Sequence, residues 1–220
     1  MLILLGAICM TLDHVGLLWS NPWLRLVGRF AFPLFAYQIV ISYHHSKSVP
    51  RYIGRLLLCA VVSQPIYSLM CPGAANVLFL FTAAVCALCM WDSLCASPLS
   101  TSRGYLAFAA FMGVLFILLL HFRVDYGPFG LLVVLLIAAA QKDKLLLALG
   151  YTTLTMLVCT FGILSWSQMI GVLPLFLSLD HLRRIFYWKY AFYVFYPAHM
   201  AILLALKSPF MNTVIVKLIS

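Results

Sequence analysis

Asp13 and His14 stand side by side within a run of apolar residues, and Arg29 stands within the next such run. The chain has 220 residues and only 5 carboxylates, none of them glutamate. Holding an ionisable side chain in hydrocarbon costs roughly 2.5–3.5 kcal/mol on insertion scales, so such residues mark functional interiors. The residue types suit acid–base chemistry. A neutral imidazole is the natural general base near pH 7, and an Arg–carboxylate pair can hold its charges in a bidentate geometry. Adjacent helical residues point about 100° apart, so Asp13 is poorly placed to orient His14 directly. Arg29 is the expected partner of Asp13, either as part of a working site or as a pin between two helices. His14 is then left to face a substrate, with a packed histidine bonded to a backbone carbonyl as the structural alternative.

The elements that must position these residues follow from composition. Hydrophobic residues make up 65% of the chain and charged residues 9%, and the mean hydropathy is +1.08. This predicts an all-α, polytopic transmembrane helical bundle forming one domain over residues 1–220, with no soluble domain. Apolar segments are read at 1–20, 24–43, 52–70, 75–95, 104–121, 126–141, 145–164, 166–180 and 190–207. These make about nine helices, or ten if the tail 209–219 also inserts. The breaks carry turn chemistry: Ser20-Asn21-Pro22, Ser48-Val49-Pro50, Cys71-Pro72-Gly73, Ser97-Pro98 and Gln141-Lys142-Asp143-Lys144.

The net charge of +9 is read as a topological signal. Lys47, Arg51, Arg55, Arg103, Lys142, Lys144, Arg183, Arg184 and Lys189 fall on one side, which makes that side and the N-terminus cytoplasmic. No basic run is dense enough to suggest nucleic acid as a partner; the expected surroundings are the lipid bilayer. Arg183 and Arg184 could also meet a polyanionic cofactor from the cytoplasm. The seven cysteines are scattered, and no metal-ligand set is expected.

At 1.5 Å per residue, Asp13, His14, Arg29, Gln64 and His199 all fall about 9–12 Å below the outer surface. Tyr67 and Asn76 lie somewhat higher, and Asp125 opens the sixth segment from the same side. Pro33, Pro65 and Pro197 would each free a helix carbonyl beside this layer, as happens where a membrane helix lines a cavity. A shared polar cavity is therefore predicted, with His199 as a second acid/base or oxyanion donor.

These residues sit in short motifs: Met10-Thr11-Leu12-Asp13-His14, Gly28-Arg29-Phe30-Ala31-Phe32-Pro33-Leu34-Phe35-Ala36, Ser63-Gln64-Pro65-Ile66-Tyr67, Asn76-Val77-Leu78-Phe79, Asp125-Tyr126-Gly127 with Gly130, and Phe195-Tyr196-Pro197-Ala198-His199. In this order, over nearly the whole chain, they resemble the TraX family, whose best-known member is the F-pilin acetylase. The resemblance implies a bacterial inner-membrane acetyltransferase that uses acetyl-CoA, with the N-terminal amine of a conjugative pilin subunit as acceptor. The catalytic set would then be His14, His199, Asp13 and Arg29. Gln64, Tyr67, Asn76, Asp125, Tyr126 and Tyr196 would hold the acceptor, while Arg51, Arg55, Arg183 and Arg184 would meet CoA phosphates. Direct transfer and a covalent acetyl-histidine both stay open. So do two other functions: O-acetylation of an envelope glycan, and a small transporter, the latter disfavoured by the lack of internal repeats.

Overall fold

The computed structural model describes residues 2–96, 102–162, 165–176 and 191–208. The described residues are helical throughout apart from turns and one isolated bridge, and form a multi-pass bundle of apolar helices. The first apolar segment is α1 (Leu2–Leu18). The second is a pair, α2 (Pro22–Gly28) and α3 (Ala31–His44). Then come α4 (Val49–Met70), α5 (Val77–Ala96), α6 (Ser102–His121), α7 (Gly127–Ala140) and α8 (Lys144–Thr160). A 3-10 turn (Trp166–Gly171) leads into the short α9 (Val172–Phe176), and α10 (Ala191–Lys207) follows. Pro22–His44, α4, α5 and α6 are long and apolar enough to cross a membrane; α1, α7, α8 and α10 are apolar but shorter.

One expected element differs. The segment 166–180 is not a continuous α-helix where it is described. It starts as a 3-10 turn over Trp166–Gly171 and passes at Val172 directly into α-helix, which is described as far as Phe176. The turn is tied in place because Tyr151 of α8 donates to the Gln168 carbonyl at 3.0 Å. Residues 177–190, with Arg183 and Arg184, and the tail 209–219 lie outside the described residues.

Local chemistry explains the helix ends. Ser20 takes a left-handed φ of 56°, and the Asn21 side chain accepts from the Trp23 and Leu24 amides, which starts α2 with Pro22 in its first turn. Asp143 caps α8 in the same way. The missing Pro33 amide accounts for the interruption at Arg29–Phe30. The backbone there stays right-handed, with φ of −63° and −68°.

α3 is the centre of the bundle. Ten of its residues, from Ala31 to Tyr43, are buried, and it packs on α1, α5, α7 and α9. α7, apolar on all faces, is also interior, whereas α6 is peripheral with only Leu119 buried. At one end of the bundle two loops are laced together. Ala75 bridges Val124, and the Asp125 amide donates to the Ala75 carbonyl at 2.9 Å. The opposite end carries the turns at 45–48 and 141–143. α1 and α10 run parallel: Ile3 and Phe192 border one cavity, and His14 meets His199 further along both helices.

α1 and α2 form a tight antiparallel hairpin made possible by glycine. A Cβ on Gly16 would lie 2.7 Å from the Arg25 nitrogen, and one on Gly28 would lie 2.6 Å from the Asp13 Cα. Both are far inside ordinary contact. Gly28→Ala is therefore expected to cost at least about 1–3 kcal/mol through overpacking. Gly54→Ala, whose Cβ meets nothing within 4 Å, should cost nothing. Thermal unfolding of the two variants in detergent checks this.

Candidate functional site

His14 and His199 form the heart of the site. Both are buried, at 8% and 5% exposure, and His14 Nδ1 lies 2.8 Å from His199 Nε2. His199 Nδ1 lies 2.9 Å from the Phe195 carbonyl oxygen. The carbonyl can only accept, so His199 Nδ1 carries a hydrogen. In the neutral ring its Nε2 is then an acceptor, and His14 Nδ1 must be the donor. His14 Nε2 is left with a free lone pair on a side chain that borders a cavity of about 40 Å³. The Phe195 and Tyr196 rings fix His199, stacked at 4.7 Å and edge-on at 5.8 Å. Both ring nitrogens of His199 are thus engaged, one by the Phe195 carbonyl and the other by His14.

The ion pair differs from expectation. Asp13 Oδ2 pairs with Arg25, not Arg29, at 2.8 Å from Nη1. The hairpin sets Asp13 opposite Gly28 and Gly16 opposite Arg25. Arg25 therefore lies about one turn nearer the connection, on the same face, and its long side chain reaches back. Arg29 is one residue past Gly28 and so points about 100° away. It interacts with Tyr126 first, and with Asp13 and Asp125 at longer range. Asp13 Oδ1 and Arg29 Nε are buried without a hydrogen-bond partner.

Asp125 and Tyr126 arrive on the laced turn. Tyr126 has φ of +61°, and its ring stacks on Phe32 with centroids 4.0 Å apart. Asp125 Oδ1 accepts from the Tyr126 amide at 3.1 Å. On this turn between α6 and α7, burial and the nearby Asp13 charge push the Asp125 carboxyl up to about 6, against the pull of Arg29. Asp13, His14, Asp125, Tyr126 and Tyr196 all border the His14 cavity.

Gln64, Asn76 and Tyr67 stand beside this cavity but do not border it. Asn76 is fully buried; its Nδ2 donates to the Ala60 carbonyl at 2.8 Å and to Gln64 Oε1 at 2.9 Å. Its Oδ1 accepts from the Leu78 amide at 3.1 Å and so caps α5. Gln64 Nε2 donates to the Ala74 carbonyl and to Ser68, both at 2.9 Å. Their polar atoms are thus engaged in holding the loop after α4. Tyr67 is buried, with Asp125 and Tyr196 among the groups acting on it.

A second polar feature lies at the opposite end. Lys47, Arg51, Arg55, His45 and Tyr52 border a pocket of about 440 Å³. Arg55 Nε is buried without a hydrogen-bond partner, and its guanidinium lies 5.8 Å from the Tyr52 ring centroid. Between this pocket and the His14 cavity is a middle cavity of about 80 Å³. It shares Ser42, Tyr52 and Tyr193 with the basic pocket and Phe35, Phe81 and Phe192 with the His14 cavity. The three spaces form a row along the bundle. Arg183 and Arg184 lie outside the described residues.

Sequence reasoning missed Arg25, the close approach at Gly28, and the phenylalanine part of the cavity wall (Phe32, Phe35, Phe81 and Phe192). The signals were present for two of them. Asn21-Pro22 starts a helix early enough to make Arg25 helical, and Gly16 and Gly28 flag a close helix approach.

A family model described as "TraX protein" matches residues 1–207. The "Probable fimbrial assembly protein FimC, serogroup H1" of Dichelobacter nodosus is 30% identical over 241 aligned positions, covering 92% of this chain and 93% of that protein. No solved structure matches.

The pairing can be tested by double-mutant cycles in unfolding experiments. Asp13→Asn combined with Arg25→Gln should show a coupling of at least about 1 kcal/mol, as for residues in direct contact. Asp13→Asn combined with Arg29→Gln should show a smaller one.

Proposed function

Because the chain belongs to the TraX family, we propose that it is an integral membrane acetyltransferase, moving an acetyl group from acetyl-CoA to the N-terminal amine of a pilin subunit. The observation that carries this reading is the His14 Nε2 lone pair on a small cavity in line with a distant basic pocket.

The residues present fit the donor. Its phosphates suit Lys47, Arg51 and Arg55, and the unpartnered Arg55 Nε offers a further hydrogen bond. When bound, acetyl-CoA supplies the acetyl group as a thioester. The cytoplasm is the source of that donor, so the basic end is assigned to the cytoplasmic face of the bacterial inner membrane, in accord with the positive-inside rule. α1 starts at this end, which puts the N-terminus there.

At the other end His14 acts as general base. An α-amino group has a pKa near 7.7–8.0, so a useful fraction is already neutral. His14 Nε2 takes the proton that the amine loses as the amide C–N bond forms. It gives that proton to the thiolate released as the C–S bond breaks. His199 keeps His14 in the required tautomer and shares the positive charge while the proton is held. The relative named for fimbrial assembly supports a pilus subunit as acceptor.

The test is the mass of the processed subunit from cells with and without this protein. It should differ by one acetyl group at the N-terminus, and an unchanged mass would exclude pilin as acceptor. His14→Ala should abolish the gain. His199→Ala should lower kcat by about 10²-fold or more, in the range of positioned acid–base groups. Arg51→Ala with Arg55→Ala should raise KM for acetyl-CoA with little change in kcat, as expected for binding contacts.

A further inference from the structure

Part of the wall of the His14 cavity is a set of closely packed aromatic rings. Phe32 and Phe81 are 3% and 1% exposed, and their rings stack with centroids 6.1 Å apart at 7°. Tyr126 covers the Phe32 ring at 4.0 Å. Behind it lies Gly130, where a Cβ would stand 3.1 Å from Phe32 Cζ and 2.8 Å from Tyr126 Cβ. Phe81 also borders the middle cavity, together with Phe35 and Phe192, whose rings meet at 4.9 Å. The Phe35 ring tip rests 3.1 Å from where a Gly6 Cβ would be. Each ring is thus backed by another ring or by a glycine, and a close-packed interior of this kind does not yield to an extra methylene without strain.

We propose that Phe81, held by Phe32, limits the transferred acyl group to two carbons. The inference rests on the acyl-transfer function above and adds which acyl donors the site accepts. The carbonyl carbon must come beside His14, because the amide bond forms there as the thioester C–S bond breaks and the amine proton passes to sulfur. Whatever is attached to that carbon must fit the same cavity. At about 40 Å³, it has room for about three water-sized groups, matching the methyl, carbon and oxygen of an acetyl group. A butyryl group adds two methylenes. Each methylene that an apolar pocket discriminates is worth roughly 10–200-fold.

The experiment uses the full chain in lipid nanodiscs. Binding of S-ethyl-CoA and S-butyl-CoA, thioethers that cannot transfer, is measured by calorimetry. In parallel, transfer from acetyl-CoA and butyryl-CoA to a peptide with a pilin N-terminus is followed by mass spectrometry. The wild type should favour the two-carbon compound by about 100-fold or more in both assays. Phe81→Ala should reduce that preference at least about tenfold, and Phe81→Leu, which keeps more of the packing, should reduce it less. Equal use of both chain lengths by the wild type would overturn the proposal. So would an unchanged preference in both variants. If thioethers bind with the expected preference but no acyl donor is consumed, the acyl-transfer reading fails while the size limit of the cavity stands. If no thioether binds, both fall.

Discussion

The close contact of Asp13 on Gly28 is the constraint from which the rest of the site follows. A carboxylate placed between apolar helices needs a cation beside it, because an uncompensated buried charge is strongly destabilising. Gly16 and Gly28 let the α1 and α2 backbones approach closely enough for Arg25, a short step along the hairpin, to supply that cation. Once Asp13 is committed to α2, His14 is turned about 100° away and meets α10. The His14–His199 contact is therefore a consequence of the hairpin as much as of the two imidazoles.

The second fixed point is the lacing of the loop after α4 to the loop after α6. Gln64 and Asn76 spend their hydrogen bonds on the first loop, and Ala75 passes the order on to Asp125 through a backbone bond. This brings a second carboxylate and the Tyr126 ring over the cavity, and it gives Arg29 its neighbours. Asp13, Asp125, Arg25 and Arg29 carry balanced charge when ionised. On the proposed function, a proton taken up by His14 would then be the uncompensated one, which suits a base that holds it only briefly.

Depth was legible in the sequence; azimuth was not. Counting 1.5 Å per residue from the turns puts His14, His199, Asp13 and Arg29 in one layer; in the structure His14 meets His199, and Arg29 feels the charge of Asp13. The same arithmetic could not say which arginine shares a face with Asp13. That depends on how closely the helices pack and on where Asn21 starts the second one. Gln64 and Asn76 illustrate a related limit. Their depth and polarity mark them as members of the layer, but only the tertiary structure shows that backbone groups absorb their hydrogen bonds. The segment 166–180 was read as a span from its apolar character alone. Its 3-10 start is imposed by tertiary contacts with α8 and α3, of which the Tyr151–Gln168 bond is one, and periodicity carries no trace of these.

The row of spaces also bears on why the work should be divided along the bundle. Fixed charges that recognise a polyanion cost least where water can still reach them, and Lys47, Arg51 and Arg55 sit at the end of the bundle, close to the 45–48 turn. Proton transfer benefits from the opposite setting. A hydrogen bond between two imidazoles is stronger, and its geometry better kept, where the local dielectric is low. On the proposed function, the middle cavity beside Phe35, Phe81 and Phe192 stands between these two environments, so that one donor molecule would be gripped in water at its phosphates and react out of it at its thioester.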